Sequence, residues 1–142
     1  GVLTLGGIMA AHARPNQSSP IARGKFLRER ILCQTLPLPP NDLEIEPPEI
    51  VPGATTRERF RQHTVEPRCA GCHQLIDPPG FLFEHYDGAG RYRATDQGLR
   101  VDASGEVLDA GSLTGTYMSA LELVPKLADS PEVRSCMVTA WF

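Results

Sequence analysis

Long apolar runs are missing from this chain. The longest near the N-terminus, Ile8 to Ala11, is far short of the roughly 20 residues that span a bilayer, so no transmembrane segment is expected. An excess of one charge is missing too: 14 Lys and Arg stand against 17 Asp and Glu, a net charge of −3 over 142 residues. Generic nucleic-acid binders carry a basic excess, and that class is set aside. There is no internal repeat, no heptad pattern, and no Ser-His-Asp or nucleophile-elbow arrangement. The first residue is not Met, and no basic region precedes Gly1-Val2-Leu3, so no signal peptide is recognisable. The chain stops inside an apolar stretch, Ala140-Trp141-Phe142, and is expected to be a piece of a longer protein. The missing signal is then no pointer to the cytoplasm.

Apolar residues make up 41% and charged residues 22%, enough for a packed core. With 13 Gly and 13 Pro, long structured loops are expected rather than a dense bundle. Ser19-Pro20 reads as an N-cap followed by Pro at the first helical position, opening a helix through Cys33. Its packing side is Ile21, Phe26, Leu27, Ile31 and Leu32; Arg23, Lys25, Arg28 and Arg30 are expected mostly in water. Residues 34–54 hold six prolines and read as an extended connector. Thr55 and Glu58 fit a capping box for a helix to about Thr64. A second short helix should run from Arg68 to Ile76, halted by Pro78-Pro79. Residues 91–108 read as short strands around the turns Asp96-Gln97-Gly98 and Asp102-Ala103-Ser104-Gly105. Ser119 and Glu122 form a second capping box, for a helix that Pro125 should bend or split. Ser130-Pro131 opens the last helix.

One pattern carries chemistry. Cys69-Ala70-Gly71-Cys72-His73 is C-x-x-C-H, the attachment signature of c-type haem. Two thiols three positions apart lie on neighbouring turns of a helix, within reach of the two vinyl groups of one porphyrin. The next residue, His73, offers its imidazole to the iron as proximal ligand. Small Ala70 and Gly71 let the macrocycle edge approach the backbone. With only four cysteines present, the pattern is not a by-product of Cys richness. Two alternatives stay open. Zinc would use Cys69 and Cys72 with two ligands from Cys33, Cys136, His63 or His73, but no second C-x-x-C or H-x₃₋₅-H accompanies them. A thioredoxin-like redox pair would need a βαβ context that is missing.

The stretch Ser19-Pro20, Arg23-Gly24-Lys25-Phe26, Leu32-Cys33, Pro37-Leu38-Pro39-Pro40, Arg57, His63, Cys69 to His73, Asp77-Pro78, Gly80-Phe81, Glu84, Asp87 and Gly90-Arg91-Tyr92-Arg93 resembles the planctomycete-type cytochrome c-like domain, which also occurs in other bacteria. The remainder, from Val101 to Trp141, resembles the small C-terminal domain that follows it. The chain departs where that family often has Met three residues after the haem His; here the residue is Ile76. The resemblance implies one covalent haem in an exported, multi-module bacterial protein, at the periplasm, the exterior or the cell surface. It also implies that Cys33 and Cys136 form a disulfide; the residues alone leave two buried free thiols open.

The expected architecture is mainly α: a cytochrome c-like helical domain over 1–93 with Pro-rich loops, then a small β-hairpin-containing part over 94–142. The sixth iron ligand is expected from His63, which matches a family His, or from Met118, placed as in small cytochromes c; an open position is the third possibility. For each residue the plainer role is a polar helix-end contact or core packing. Phe81 is expected in the haem pocket or core. Arg91 or Arg93 is expected either on a haem propionate or in an ion-pair cluster with Asp77, Glu84 and Asp87. Electron transfer with a redox partner protein or other modules of the same polypeptide is the leading function. Peroxidase-like or sensor-like haem chemistry and a zinc-stapled binding module are the alternatives.

Overall fold

The computed structural model describes residues 1–37 and 47–141, without the side chains of Gln62, His63 and Arg68. Among the described residues there are six α-helices: α1 (Gly6–Ala11), α2 (Pro20–Phe26), α3 (Thr56–Val65), α4 (Pro67–Phe81), α5 (Ala120–Asp129) and α6 (Pro131–Trp141). Four short strands form two antiparallel pairs. Strand β1 (Thr95–Asp96) pairs with β2 (Leu99–Arg100), and β3 (Gly105–Val107) with β4 (Gly115–Tyr117). The fold is mainly α with a small β part, as expected. No described helix is long and apolar enough to cross a membrane. Residues 38–46 of the connector expected over 34–54 lie outside the described residues.

The start signals of three helices act as read. The Ser19 hydroxyl accepts the Ala22 N–H at 3.2 Å, with Pro20 at the first helical position. Thr55 and Glu58 exchange the reciprocal bonds of a capping box. The Ser130 hydroxyl accepts the Val133 N–H. At α5 the expected box does not form: Glu122 accepts the N–H of Met118, the residue before the N-cap, at 2.7 Å, and the Ser119 side chain caps nothing. Pro125 sits inside α5 without splitting it. The carbonyl it deprives is that of Leu121, four residues back, and Leu121 is exposed rather than in the dry core. Asp102 to Gly105 is not a hairpin turn; it leads into β3, whose partner β4 is ten residues on.

The expected stop at Pro78-Pro79 is also corrected. Helix α4 runs through both prolines to Phe81. A proline withholds the N–H that would bond the carbonyl four residues back. For Pro79 that carbonyl belongs to Leu75, and Arg28 Nε donates to it at 2.9 Å. A side chain from a neighbouring segment thus replaces the missing helical donor. Arg28 also donates to the Gln34 side chain at 2.9 Å and to the Leu108 carbonyl at 2.5 Å.

Arg23 and Arg28 are therefore not on a wet face; each is only 1% exposed. Helix α2 continues as a π-turn over Leu27–Ile31 and packs flat on α4. Gly24 faces the Ile76 carbonyl and Gly80 faces the Pro20 carbonyl so closely that any Cβ would overlap them. The two backbones touch, and nothing larger than glycine fits at either position. The core beneath joins Leu3 and Met9 to Leu27, Leu82, Phe83, Val107, Tyr117, Leu123 and Leu127, so residues before and after 94 share one apolar cluster.

Arg23 ties this core together. Its guanidinium donates to the carbonyls of Met9 (3.3 Å), Phe83 (3.0 Å), Tyr86 (2.7 Å) and Asp87 (2.8 Å). It also lies 3.6 Å from the carboxylate of Glu84. Glu84 accepts from Ser18 at 3.0 Å and from Arg93 at 2.6 Å. Arg93 reaches on to Asp96 at 2.8 Å, and Asp96 accepts from the backbone and hydroxyl of Thr56 at the start of α3. Burial pushes the Glu84 carboxyl up, and Arg93 and Arg23 pull it back.

Cys33 and Cys136 form a disulfide across 103 positions, as the resemblance implied. Cys33 takes a left-handed φ of 52°, turning the chain away after the π-turn. In the chain-entropy picture a loop of that length adds about 4–5 kcal/mol at most. The Cys33→Ser/Cys136→Ser chain should unfold at lower urea concentration, by up to that amount, in equilibrium denaturation. Glu84→Gln should cost about 3–5 kcal/mol by the same measurement, because it leaves the buried Arg23 guanidinium without its carboxylate.

Candidate functional site

Helix α4 opens with Pro67 at its first position and carries Cys69, Cys72 and His73 on its first two turns. Residues three and four apart in a helix are surface neighbours, about 5–6 Å between Cβ atoms. Cys72 and His73 therefore both flank Cys69 on one face. Both thiols are free and half-buried. A Cβ built on Gly71 meets nothing within 4 Å, and Gly71 itself is exposed, so the turn is not crowded at that point.

His73 is half-buried, and its Nδ1 donates to Asp77 Oδ1 at 2.9 Å. Asp77 is wholly buried one helical turn further on. A carboxylate on Nδ1 fixes the tautomer in which the Nδ1 nitrogen holds the proton and Nε2 presents the lone pair. That is the form of imidazole a metal binds. From sequence, Asp77 is expected in an ion-pair cluster with Glu84, Asp87 and Arg91 or Arg93. The structure gives it to His73. The spacing His-x-x-x-Asp on one helix was the available signal, since i and i+4 side chains meet.

The other expected site residues are spread over the molecule. Phe81 lies eight residues beyond His73, roughly 12 Å along the helix axis. It is buried, with the Arg57 guanidinium 4.3 Å above its ring. Arg57 is itself held by Asp102 and the Ser104 carbonyl. Arg91 closes a turn by donating Nε to Asp87 at 3.0 Å. The Asp87 carboxyl, though raised by desolvation, ends below its ordinary range, because the N–H groups of Arg91 and Ala89 and the Arg91 guanidinium outweigh that cost. Arg93 is engaged by Glu84 and Asp96. None of these arginine contacts involves the 69–73 turn.

Met118 is 71% exposed, in a groove with His85, Arg100, Val101, Asp102 and Ala103. Two residues later, the Ala120 N–H bonds the Leu82 carbonyl at the far end of α4, about 13 Å along the helix from His73. The structure does not bring Met118 and His73 together. His63 is on α3, which packs along α4, but its side chain lies outside the described residues. His12 bonds the Ile8 carbonyl and packs on Phe26; His85 bonds the Arg93 carbonyl and stacks on Tyr92. Ile76, which stands where the resemblance often has Met, is buried where α2 crosses α4.

The family model PSCyt3, described as a protein of unknown function (DUF1588), matches residues 1–96. The chain belongs to the PSCyt3 family. This match covers every helix from α1 to α4 and all of the C-x-x-C-H turn. Residues 97–142 fall outside it, so the PSCyt3 assignment says nothing of the small β-hairpin and α5–α6 part. No curated protein and no solved structure matches the chain significantly.

The PSCyt3 site fits a c-type haem on its own chemistry. Two thiols and an imidazole share one face of a helix, the small residues between them are uncrowded, and a buried carboxylate orders the imidazole. The zinc alternative loses two of its suggested ligands, because Cys33 and Cys136 are joined to each other.

Proposed function

We propose that this chain is a c-type cytochrome domain that holds one covalent haem and passes electrons within a larger exported protein. The observation that carries the reading is the C-x-x-C-H turn on α4 with His73 oriented by buried Asp77. Cys69 and Cys72 would hold the haem as thioether anchors, each thiol adding across a vinyl group with no leaving group to account for. When bound, haem supplies a one-electron iron couple. His73, with Nδ1 engaged by Asp77, would bind the iron through Nε2. His63, on α3 alongside α4, would be the candidate for a second ligand.

Helix α4 serves as a rigid mount. Its C-terminal half is clamped by α2 at Gly24 and Gly80, which keeps the anchor turn from shifting when charge arrives or leaves. The disulfide supports an exported location, since such bonds persist in oxidising compartments and c-type haem is attached outside the bacterial cytoplasm. A periplasmic or cell-surface site, with a redox partner protein or a neighbouring module as electron donor and acceptor, follows from that reading.

The test is a reduced-minus-oxidised absorption spectrum of protein matured in the periplasm, with a pyridine haemochrome assay on the same sample. A c-type α band that stays with the denatured polypeptide is expected, and Cys69→Ala/Cys72→Ala should abolish it. A colourless, correctly exported chain would overturn the reading, and a zinc assay would then decide the alternative.

A further inference from the structure

We infer that Asp77 is a positioning residue that sets the redox potential of the site through His73; this rests on the haem reading above. The argument starts from burial. Asp77 is 0% exposed, yet it is a carboxylate, and a carboxylate withdrawn from water needs donors to remain there. One donor is the Nδ1–H of His73 at 2.9 Å. The pair is internal to α4, at i and i+4, so its geometry is held by the helix itself and not by a mobile loop. Ile76, the residue just before Asp77, is pinned against Gly24 of α2, and the carbonyl of Pro78, just after it, against Gly105 of β3. The backbone on both sides of Asp77 is thus held, so the carboxylate meets the ring from a fixed frame.

A backbone carbonyl on Nδ1 would fix the tautomer only. A full carboxylate does more. It draws the Nδ1 proton towards itself, leaves more negative charge on the ring, and makes Nε2 a stronger donor. A stronger, more anionic donor favours the more positive oxidation state of the iron. The proton stays between Nδ1 and Oδ1 throughout, and one electron from the external reductant is the only charge that moves. Asp77 therefore holds the couple at low potential and biases this domain towards donating electrons. The burial of Asp77 keeps water from screening the effect.

The decisive variant is Asp77→Asn, which keeps the shape and an acceptor oxygen and removes the charge. Haem-loaded chains are titrated with dithionite against mediator dyes, with the haemochrome assay confirming equal haem content. In Asp77→Asn the reduced-to-oxidised ratio at a fixed ambient potential should rise at least tenfold, which is an upward shift of about 59 mV for one electron. Glu106→Gln, which removes an exposed charge on β3, should leave the potential in place. A potential unmoved by Asp77→Asn, or moved equally by Glu106→Gln, overturns the assignment.

A second measurement does not depend on the variant folding. In the unmutated, haem-loaded and reduced chain labelled with ¹⁵N-histidine, the His73 Nδ1 should carry a proton that exchanges slowly with solvent. An Nδ1 proton that exchanges as fast as in free imidazole overturns the proposal. A colourless unmutated chain is a different result: it removes the haem reading itself, before Asp77 is put to the test.

Discussion

Glu84 lies out of water between the guanidinium groups of Arg23 and Arg93, and its charge depends on both. Alone, any of them would cost several kcal/mol to bury. Together they are served by Ser18, by four backbone carbonyls and, through Arg93, by Asp96. The consequences run outward from there. Arg23 gathers the carbonyls of α1 and of the loop after α4, which have no strand or helix to satisfy them. Asp96 accepts from Thr56 and sets where α3 begins. Helix α3 packs along α4, so the same charges help to place a neighbour of the helix that carries the cysteine turn.

Helix α4 has two halves with different duties. Its second half is structural: Gly80, Pro78 and Pro79 bring it against α2 and β3, and Arg28 fills the hydrogen bond that Pro79 removes. Its first half is chemical, with two thiols and an imidazole on one face. Running the helix through both prolines joins the two, so the anchor turn inherits the stiffness of the core. A site mounted on a helix keeps its geometry better than one on a loop, and a redox site benefits, since movement on electron transfer slows the transfer. Asp77 sits at the joint between the halves, buried by the structural half and bonded to the chemical one.

Membership of the PSCyt3 family describes residues 1–96, but the core does not stop there. Leu113, Tyr117, Leu123 and Leu127 pack with Leu3, Met9 and Leu27. The disulfide fastens α6 to the end of the π-turn after α2. The later segment thus covers apolar surface that the earlier one would otherwise leave wet. It also keeps α2 in place behind α4, which ties the small C-terminal part to the mount of the site even though it supplies no ligand.

What the amino-acid order determined was local. The caps at Ser19, Thr55 and Ser130 need only a side chain and an N–H three residues away, and each formed as read. C-x-x-C-H was legible for the same reason, since one turn of helix is enough to align it. Other outcomes needed partners distant in sequence. Arg23 and Arg28 fall on the polar positions of a helical wheel, and only the carbonyls brought to them from residues 9, 75, 83, 86, 87 and 108 make their burial affordable. Pro78-Pro79 reads as a stop until a donor 51 positions earlier replaces the one that Pro79 lacks. By order alone, Asp77 is one more charge in a cluster with Glu84, Asp87 and the arginines. The helix continued through it, the core closed over it, and the carboxylate was left facing the one imidazole that the motif had already singled out.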